Sequence, residues 1–207
     1  MKTWIVLQKR DKNVNYETDR LLTEGGEGTE LIYHPNVDII VDRQDRRSIR
    51  VKNRVVDLPN IVIPRTGSGT GYFGHSLLRH FERLGVPLLN NSASIEVTKD
   101  KLHAAQVFAE QHLPTPKTML VKDPVNPMLV EKEIGFPCVV KIFAGSYGKG
   151  VYLCTNSREF RDFIEFAHGI KSDEAIIVQE FIKSRPGEDV RVIVVGGKAL
   201  GAMKRSS

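Results

Sequence analysis

The stretch Pro137-Cys138-Val139-Val140-Lys141-Ile142-Phe143-Ala144-Gly145-Ser146-Tyr147-Gly148-Lys149-Gly150-Val151-Tyr152-Leu153 decides how this chain is read. Two apolar runs flank the turn Gly145-Ser146-Tyr147-Gly148-Lys149-Gly150, and Lys141 stands just before it. Val and Ile suit a pleated strand, so the pattern predicts strand, glycine turn, strand. Glycines let successive backbone N–H groups converge in one concavity, and such a nest binds anions. A lysine on the adjoining strand adds a fixed positive charge. Together they outline a triphosphate site. The order G-x-x-x-x-G-K-[ST] is absent and the turn leads into a strand-like run, so this is not a P-loop. A glycine-rich hairpin with no ligand fits the same residues.

Working outward, Asn156 or Ser157 caps a helix with Phe160, Phe163, Ile164 and Ala167 on one face, ended by Gly169. Ala175–Gln179 is an apolar strand running into Glu180-Phe181-Ile182. Asp189–Val195 and Lys198–Met203 form a hairpin around Gly196-Gly197. Upstream, Lys117–Val121 is a strand and Pro127–Ile134 a helix stopped by Gly135-Phe136-Pro137. Thr98 caps a helix that reaches about His112, where Leu113-Pro114-Thr115-Pro116 breaks it. Lys101 then lies in the first turn, where it opposes the helix dipole. A nearby anion would justify that placement; a surface lysine without a role is equally open.

The first ninety residues alternate between strand and helix patterns. Trp4–Leu7, Glu30–Tyr33, Val37–Val41, Asn60–Pro64 and Val86–Leu89 read as strands, and Arg50–Leu58 as a hairpin. Tyr16–Thr23 is a short helix ended by Gly25-Gly26. A second helix carries Phe73, Leu77, Leu78, Phe81 and Leu84 on one side and is closed by Gly85. This alternation predicts an open parallel sheet.

The 207 residues suffice for one large or two small domains, and 41% hydrophobic with 27% charged residues describes a globular protein. No apolar stretch approaches the roughly 20 residues of a membrane span. Cys138 and Cys154 lack metal or redox spacing and lie in apolar runs, so they read as reduced core residues and the chain as cytoplasmic. Arg43, Arg46, Arg47, Arg50, Lys52 and Arg54 supply part of the net charge of +5. A basic nucleic-acid patch is one reading. Alternation with Ile49, Val51 and Val55 favours a solvated hairpin, and no aromatic residue interleaves for base stacking.

In order along the chain, Ile63-Pro64-Arg65-Thr66-Gly67, Thr98-Lys99-Asp100-Lys101, Val139-Val140-Lys141 before the glycine turn, Val178-Gln179-Glu180-Phe181-Ile182 and Gly187-Glu188-Asp189-Val190-Arg191 resemble the ATP-grasp superfamily. Within it the chain is most similar to the RimK-like carboxylate–amine ligases. The resemblance extends from Asn60 to Arg205. It implies an α/β ATP-grasp fold with a leading open α/β (pre-ATP-grasp) domain at 1–92. A central ATP-grasp subdomain with the glycine-rich loop follows at 93–178, and an incomplete C-terminal subdomain at 179–207.

Roles follow from the resemblance residue by residue. Lys101 and Lys141 match the two lysines that hold the nucleotide phosphates. Gly145, Ser146, Gly148 and Gly150 match the loop covering the β- and γ-phosphates. Glu180, Phe181 and Ile182 match the linker beside adenine, and Asp189 the acidic position near the ribose. Arg191 and Arg205 match catalytic basic positions facing the acyl phosphate or substrate. The family binds Mg²⁺ with ATP through an Asp, a Glu and an Asn near its far end. Those ligands are expected beyond Ser207, so the chain is expected to be a fragment that binds nucleotide weakly and turns over poorly.

The implied activity is ATP-dependent amide or peptide bond formation through an acyl phosphate, adding an amino acid such as glutamate to a protein or small-molecule carboxylate. No side-chain nucleophile is needed, which agrees with the lack of a Ser/His/Asp or Cys/His set. Relatives imply a homo-oligomer when complete. One alternative is a nucleotide-binding regulatory or scaffold module without catalysis. Another is association with RNA or a ribosomal protein through Arg43–Arg54, the chemistry acting on a protein tail.

Overall fold

Four successive buried residues, Thr3, Trp4, Ile5 and Val6, make β1 (Thr3–Leu7) the central strand of the first sheet. A strand covered on both faces is apolar throughout rather than alternating, which is the mark of a parallel sheet. The structure, a computed structural model, describes residues 1–8, 15–43, 47–67, 70–142, 150–170 and 175–206. It divides into two compact units, Met1–Ala104 and Ala105–Ser207.

In the first unit, α1 (Tyr16–Gly25) begins at Asn15, whose side chain accepts from Thr18 N–H. It lies against β1 and β2 (Thr29–Tyr33). A 3₁₀ turn at His34–Asn36 leads to β3 (Val37–Ile39), which pairs antiparallel with β4 (Ile49–Val51). β4 turns at Lys52-Asn53, both with positive φ, into β5 (Arg54–Val55). The predicted hairpin is thus present. β6 (Ile61–Arg65) pairs parallel with β1 on the side opposite β2, giving the order β2-β1-β6.

Helix α2 (Tyr72–Arg83) buries Leu77, Leu78 and Phe81 against that sheet, with Phe81 edge-on to Trp4 at 5.9 Å. Phe73, expected on the same face, is exposed and lies beside His34 at 5.8 Å instead. The expected strand at Val86–Leu89 is reduced to one parallel bridge, Val62 with Leu88.

The expected helix from Thr98 to His112 is two helices. α3 (Ser92–Lys99) starts at Asn91, and Thr98 lies inside it with its hydroxyl on the Ser94 carbonyl at 2.8 Å. α4 (Lys101–Glu110) is capped by Asp100, whose Oδ1 accepts from Leu102 and His103 N–H at 2.9 and 3.1 Å. Asp is the stronger N-cap because its carboxylate satisfies two otherwise orphaned donors and favours the helix dipole. Lys101 remains in the first turn, now of α4.

In the second unit, β7 (Thr118–Val121) precedes α5 (Pro127–Glu133), whose start is capped by Asn126. β8 (Cys138–Ile142) and β9 (Val151–Cys154) are antiparallel neighbours. α6 (Ser157–Ile170) is capped by Asn156 and runs one residue past Gly169, the expected end. β10 (Ile176–Glu180) takes the centre of the sheet, in the order β7-β10-β8-β9. Val130, Phe160, Ile164 and Ala167 from the helices pack on Cys138, Val140, Cys154, Ile176 and Val178 from the strands. β11 (Glu188–Val195) and β12 (Lys198–Ser206) form a separate two-stranded hairpin whose residues are exposed. Its turn needs left-handed backbone at two adjacent positions, supplied by Gly196 and Gly197 at φ 56° and 76°.

Candidate nucleotide site

Residues alternate in direction along a strand, so the strands that bury Cys138, Val140 and Val178 under α5 and α6 turn the next residues to the opposite face. That second face carries Val139 and Lys141 of β8, Ile177 and Gln179 of β10, Thr118 and Leu120 of β7, and Val151 and Leu153 of β9. Lys141, Gln179 and Thr118 are half-buried, and Leu120, Val151 and Leu153 are exposed. The Lys141 ammonium donates to Gln179 Oε1. Gln179 Nε2 donates to Thr118 Oγ1 at 2.8 Å, and the Thr118 hydroxyl donates to the Pro116 carbonyl at 2.8 Å. A cation is therefore held in place on a face that also exposes Leu120, Val151 and Leu153 and buries Ile177.

The ends of the glycine turn lie beside this lysine. Lys141 is in register with Val151, and Ile142 N–H donates to the Gly150 carbonyl at 2.9 Å. Gly150 adopts φ 79°, where a β-carbon is disfavoured. Gly145, Ser146 and Gly148 lie outside the described residues. At the far end of β10, Glu180 pairs with Cys138 and its N–H donates to the Lys117 carbonyl at 3.0 Å. Phe181 and Ile182 leave the strand, Phe181 half-buried and Ile182 exposed.

The hairpin residues form a second group. Asp189 of β11 faces Arg205 of β12 in register. Its Oδ1 accepts from Arg205 Nε at 2.7 Å and its Oδ2 from Nη2. Hydrogen bonds from the guanidinium hold the Asp189 carboxyl below its ordinary value. An open cavity of about 380 Å³ is lined by Gly187, Glu188, Asp189, Arg205 and Ser206. Glu188 accepts from Lys204 at 2.7 Å and lies 3.7 Å from Arg185 Nη1, so both carboxylates of the rim are paired with cations. Arg191 lies two residues from Asp189 and shares its face of the ribbon.

Lys101 belongs to the first unit and is exposed at the start of α4. Its neighbour Lys99 has a structural role instead, donating to the Thr70 carbonyl at 2.6 Å. Burial pushes the Lys99 ammonium below its ordinary value. Among the described residues no group of three or more His, Cys, Asp or Glu is placed to hold a metal ion. Sequence reasoning missed Gln179 and Thr118. The available signal was a polar residue at an alternating position of an apolar strand, on the same face as a lysine two strands' reading away.

The first unit holds a parallel α/β sheet and the second an antiparallel sheet with a lysine-bearing open face, an arrangement shared with solved ATP-grasp proteins. Solved structures carry the same fold. A RimK-domain ATP-grasp protein from Sphaerobacter thermophilus superposes with a TM-score of 0.74 at 18% identity, covering 100% of this chain and 73% of that one. The ATP-grasp ligase PsnB, solved with a phosphomimetic minimal precursor, Mg and ADP, gives 0.68 at 18% identity, over 97% and 70%.

The chain belongs to the RimK family. The RimK pre-ATP-grasp domain matches residues 1–95 and the RimK-like ATP-grasp domain matches residues 98–207. A probable alpha-L-glutamate ligase of Psychromonas ingrahamii is 34% identical over 207 residues, covering 97% of this chain and 67% of the relative. The chain thus spans about two thirds of the length of such relatives.

Proposed function

We propose that the chain is part of an ATP-dependent ligase that joins an amino acid such as glutamate to a carboxylate-bearing acceptor through an acyl phosphate. The observation that carries this reading is the likeness to probable alpha-L-glutamate ligases along 97% of the chain. The lysine-bearing open face supports the nucleotide half of the chemistry.

Phosphoryl transfer depends on positioning and charge neutralisation more than on covalent help from the protein. Lys101 and Lys141 neutralise the phosphates. Gly145, Ser146, Gly148 and Gly150 close over the β- and γ-phosphates, and closure keeps water from the acyl phosphate. Glu180 N–H is already committed to Lys117, so the adenine edge is read by the Glu180 carbonyl and the backbone of Phe181 and Ile182. Leu120, Val151 and Leu153 offer apolar surface to the base. Asp189 meets the ribose, and Arg191 and Arg205 face the acyl phosphate, Arg205 giving up part of its pairing with Asp189 to do so. Mg²⁺ accompanies the nucleotide, and an amine attacks the activated carboxyl to form the amide.

The acceptor is a protein tail or a small molecule. No described helix is long and apolar enough to cross a membrane. Two buried free thiols support a reducing, cytoplasmic setting.

The test is ADP release with ATP, Mg²⁺, L-glutamate and a peptide or small-molecule carboxylate. Release that requires both the amine and the carboxylate is expected. Hydrolysis indifferent to either, or ATP binding with no turnover under any pairing, would favour a nucleotide-binding module without ligase activity.

A further inference from the structure

His34 stands where the parallel sheet meets the first turn of α2. It opens the 3₁₀ turn that follows β2, and its ring lies 5.8 Å from Phe73, the second residue of α2. Gly74, the third, is buried. A β-carbon there would collide with Thr70 Cγ2 and stand 3.9 Å from His34 Nε2, so the missing side chain lets the turn close over the imidazole. Both ring nitrogens of His34 are shielded from solvent, and neither finds a hydrogen-bond partner among the described residues.

A neutral imidazole leaves one N–H donor unanswered here, whereas an imidazolium would leave two and carry a charge. A buried charge without a partner costs far more than a buried polar group. The position adds to that cost. α2 starts at Gly71 with no side-chain cap and no acidic residue in its first turn, so its positive dipole end repels a second cation. The Lys99 ammonium already sits on the Thr70 carbonyl at 2.6 Å, just ahead of the helix. Burial holds the His34 ring below its ordinary value. Two histidines of α2 lean the same way. His75 Nδ1 is buried without a partner among the described residues. Burial and then Lys99 lower the His75 ring, Glu96 opposes them, and Arg79 adds to them. His80 Nε2 lies 2.8 Å from Ser48 Oγ, and burial with Arg83 lowers it. His103 and His112 are exposed. Among the described side chains, the histidines that burial disfavours as cations are thus gathered on or under α2, in the leading unit.

We propose that His34 is an acid-release latch: as a neutral imidazole it seals the end of β2 under α2, and its protonation loosens the leading unit while the second unit stays closed. The latch is independent of the nucleotide reading. Its sign follows from linkage. The unfolded chain takes up the proton near pH 6.5 and the folded chain only at lower pH, so the stability is present above pH 6.5 and is lost as pH falls below it. For one histidine kept neutral, the unfolding constant should rise roughly eightfold between pH 7 and pH 5.5.

Trp4 is the only tryptophan and lies in the core of the leading unit, so its fluorescence follows that unit in urea titrations. The unfolding constant read at Trp4 should rise about eightfold or more from pH 7 to pH 5.5, a range above the ordinary carboxylate titrations. Amide exchange in β10, corrected for intrinsic rates, should change less than about twofold over that range. His34→Phe keeps a flat ring and removes the ionisable group, so it should shrink the rise at Trp4 by roughly eightfold. A rise as large in His34→Phe as in the unaltered protein would overturn the latch, and so would equal loosening of β10. If the variant does not fold, an NMR titration of the unaltered protein decides. The His34 Cε1–H resonance should keep its neutral-ring position down to pH 5.5 while the fold persists, and a folded-state midpoint at or above pH 6.5 would refute the inference.

Discussion

On one face of the β7–β10–β8–β9 sheet, Cys138, Val140 and Val178 are sealed beneath Phe160 and Val130. On the other face of the same strands, Lys141, Gln179 and Thr118 form a half-buried polar chain between exposed Leu120, Val151 and Leu153. The pleat alone separates the two sets, one residue apart at each step. The covered face is closed by helices, so its residues answer to packing. The open face has apolar area and a held cation, and under the nucleotide reading proposed above its half-buried polar residues answer to a ligand. A substitution among these residues should therefore act on stability or on binding according to its face, with the exception of Ile177, which has open-face parity but is buried.

The covered face should give the largest effect. Phe160→Ala removes a ring with no exposed surface that packs on Phe136, and a cost of about 3–5 kcal/mol in unfolding free energy is expected. Denaturant titration measures it. A loss below about 1 kcal/mol would mean the helices do not seal this face as described.

Lys141→Met on the open face should do the reverse. Its melting temperature should stay near that of the unaltered protein. ATP affinity should fall by about 1–3 kcal/mol, the worth of a hydrogen bond to a charged group. Unchanged affinity in a titration would remove the lysine from the phosphate site and dissolve the contrast between the faces.

Gly150→Ala sits where both faces meet the glycine turn. Its φ of 79° disfavours a β-carbon, so a stability loss of about 1 kcal/mol is expected. If ATP affinity falls by more than stability does, the strand end serves the ligand as well as the hairpin.

Periodicity made most of this legible in advance. The alternation in β8 and the apolar run of β10 identified both strands, and the Gly196-Gly197 pair identified the hairpin turn. Errors arose where one local signal outweighed another. Thr98 looked like a cap, but Asp100 two residues later offers a stronger acceptor and splits the helix. Val86–Leu89 has strand composition, yet a single bridge to Val62 is all that forms. Lys141 was readable as a candidate because it stands beside the glycine turn. Gln179 was not, because its meaning depends on register between strands 38 positions apart. Alternation says which face a residue shares, but pairing says which residue it meets, and pairing is a property of the sheet.

The smallest expected effect is on the covered-face cysteines. Cys138 and Cys154 are opposed across β8 and β9, both free and buried. Burial is the main cause that pushes the Cys138 thiol up to about 12, and burial raises Cys154 as well. The thiolate is the reactive form, so iodoacetamide should leave both unmodified at pH 8 in the folded protein and label them in denaturant. The sign at higher pH follows from linkage. Above pH 9 the unfolded chain releases a Cys138 proton that the fold retains up to about 12, so stability should be fully present below pH 9 and decline as pH rises through that window. Cys138→Ala should flatten the decline while leaving ATP affinity as it was. Rapid labelling at pH 8 would show that α5 and α6 leave this face open, and the rule drawn from the two faces would fail at its most buried point.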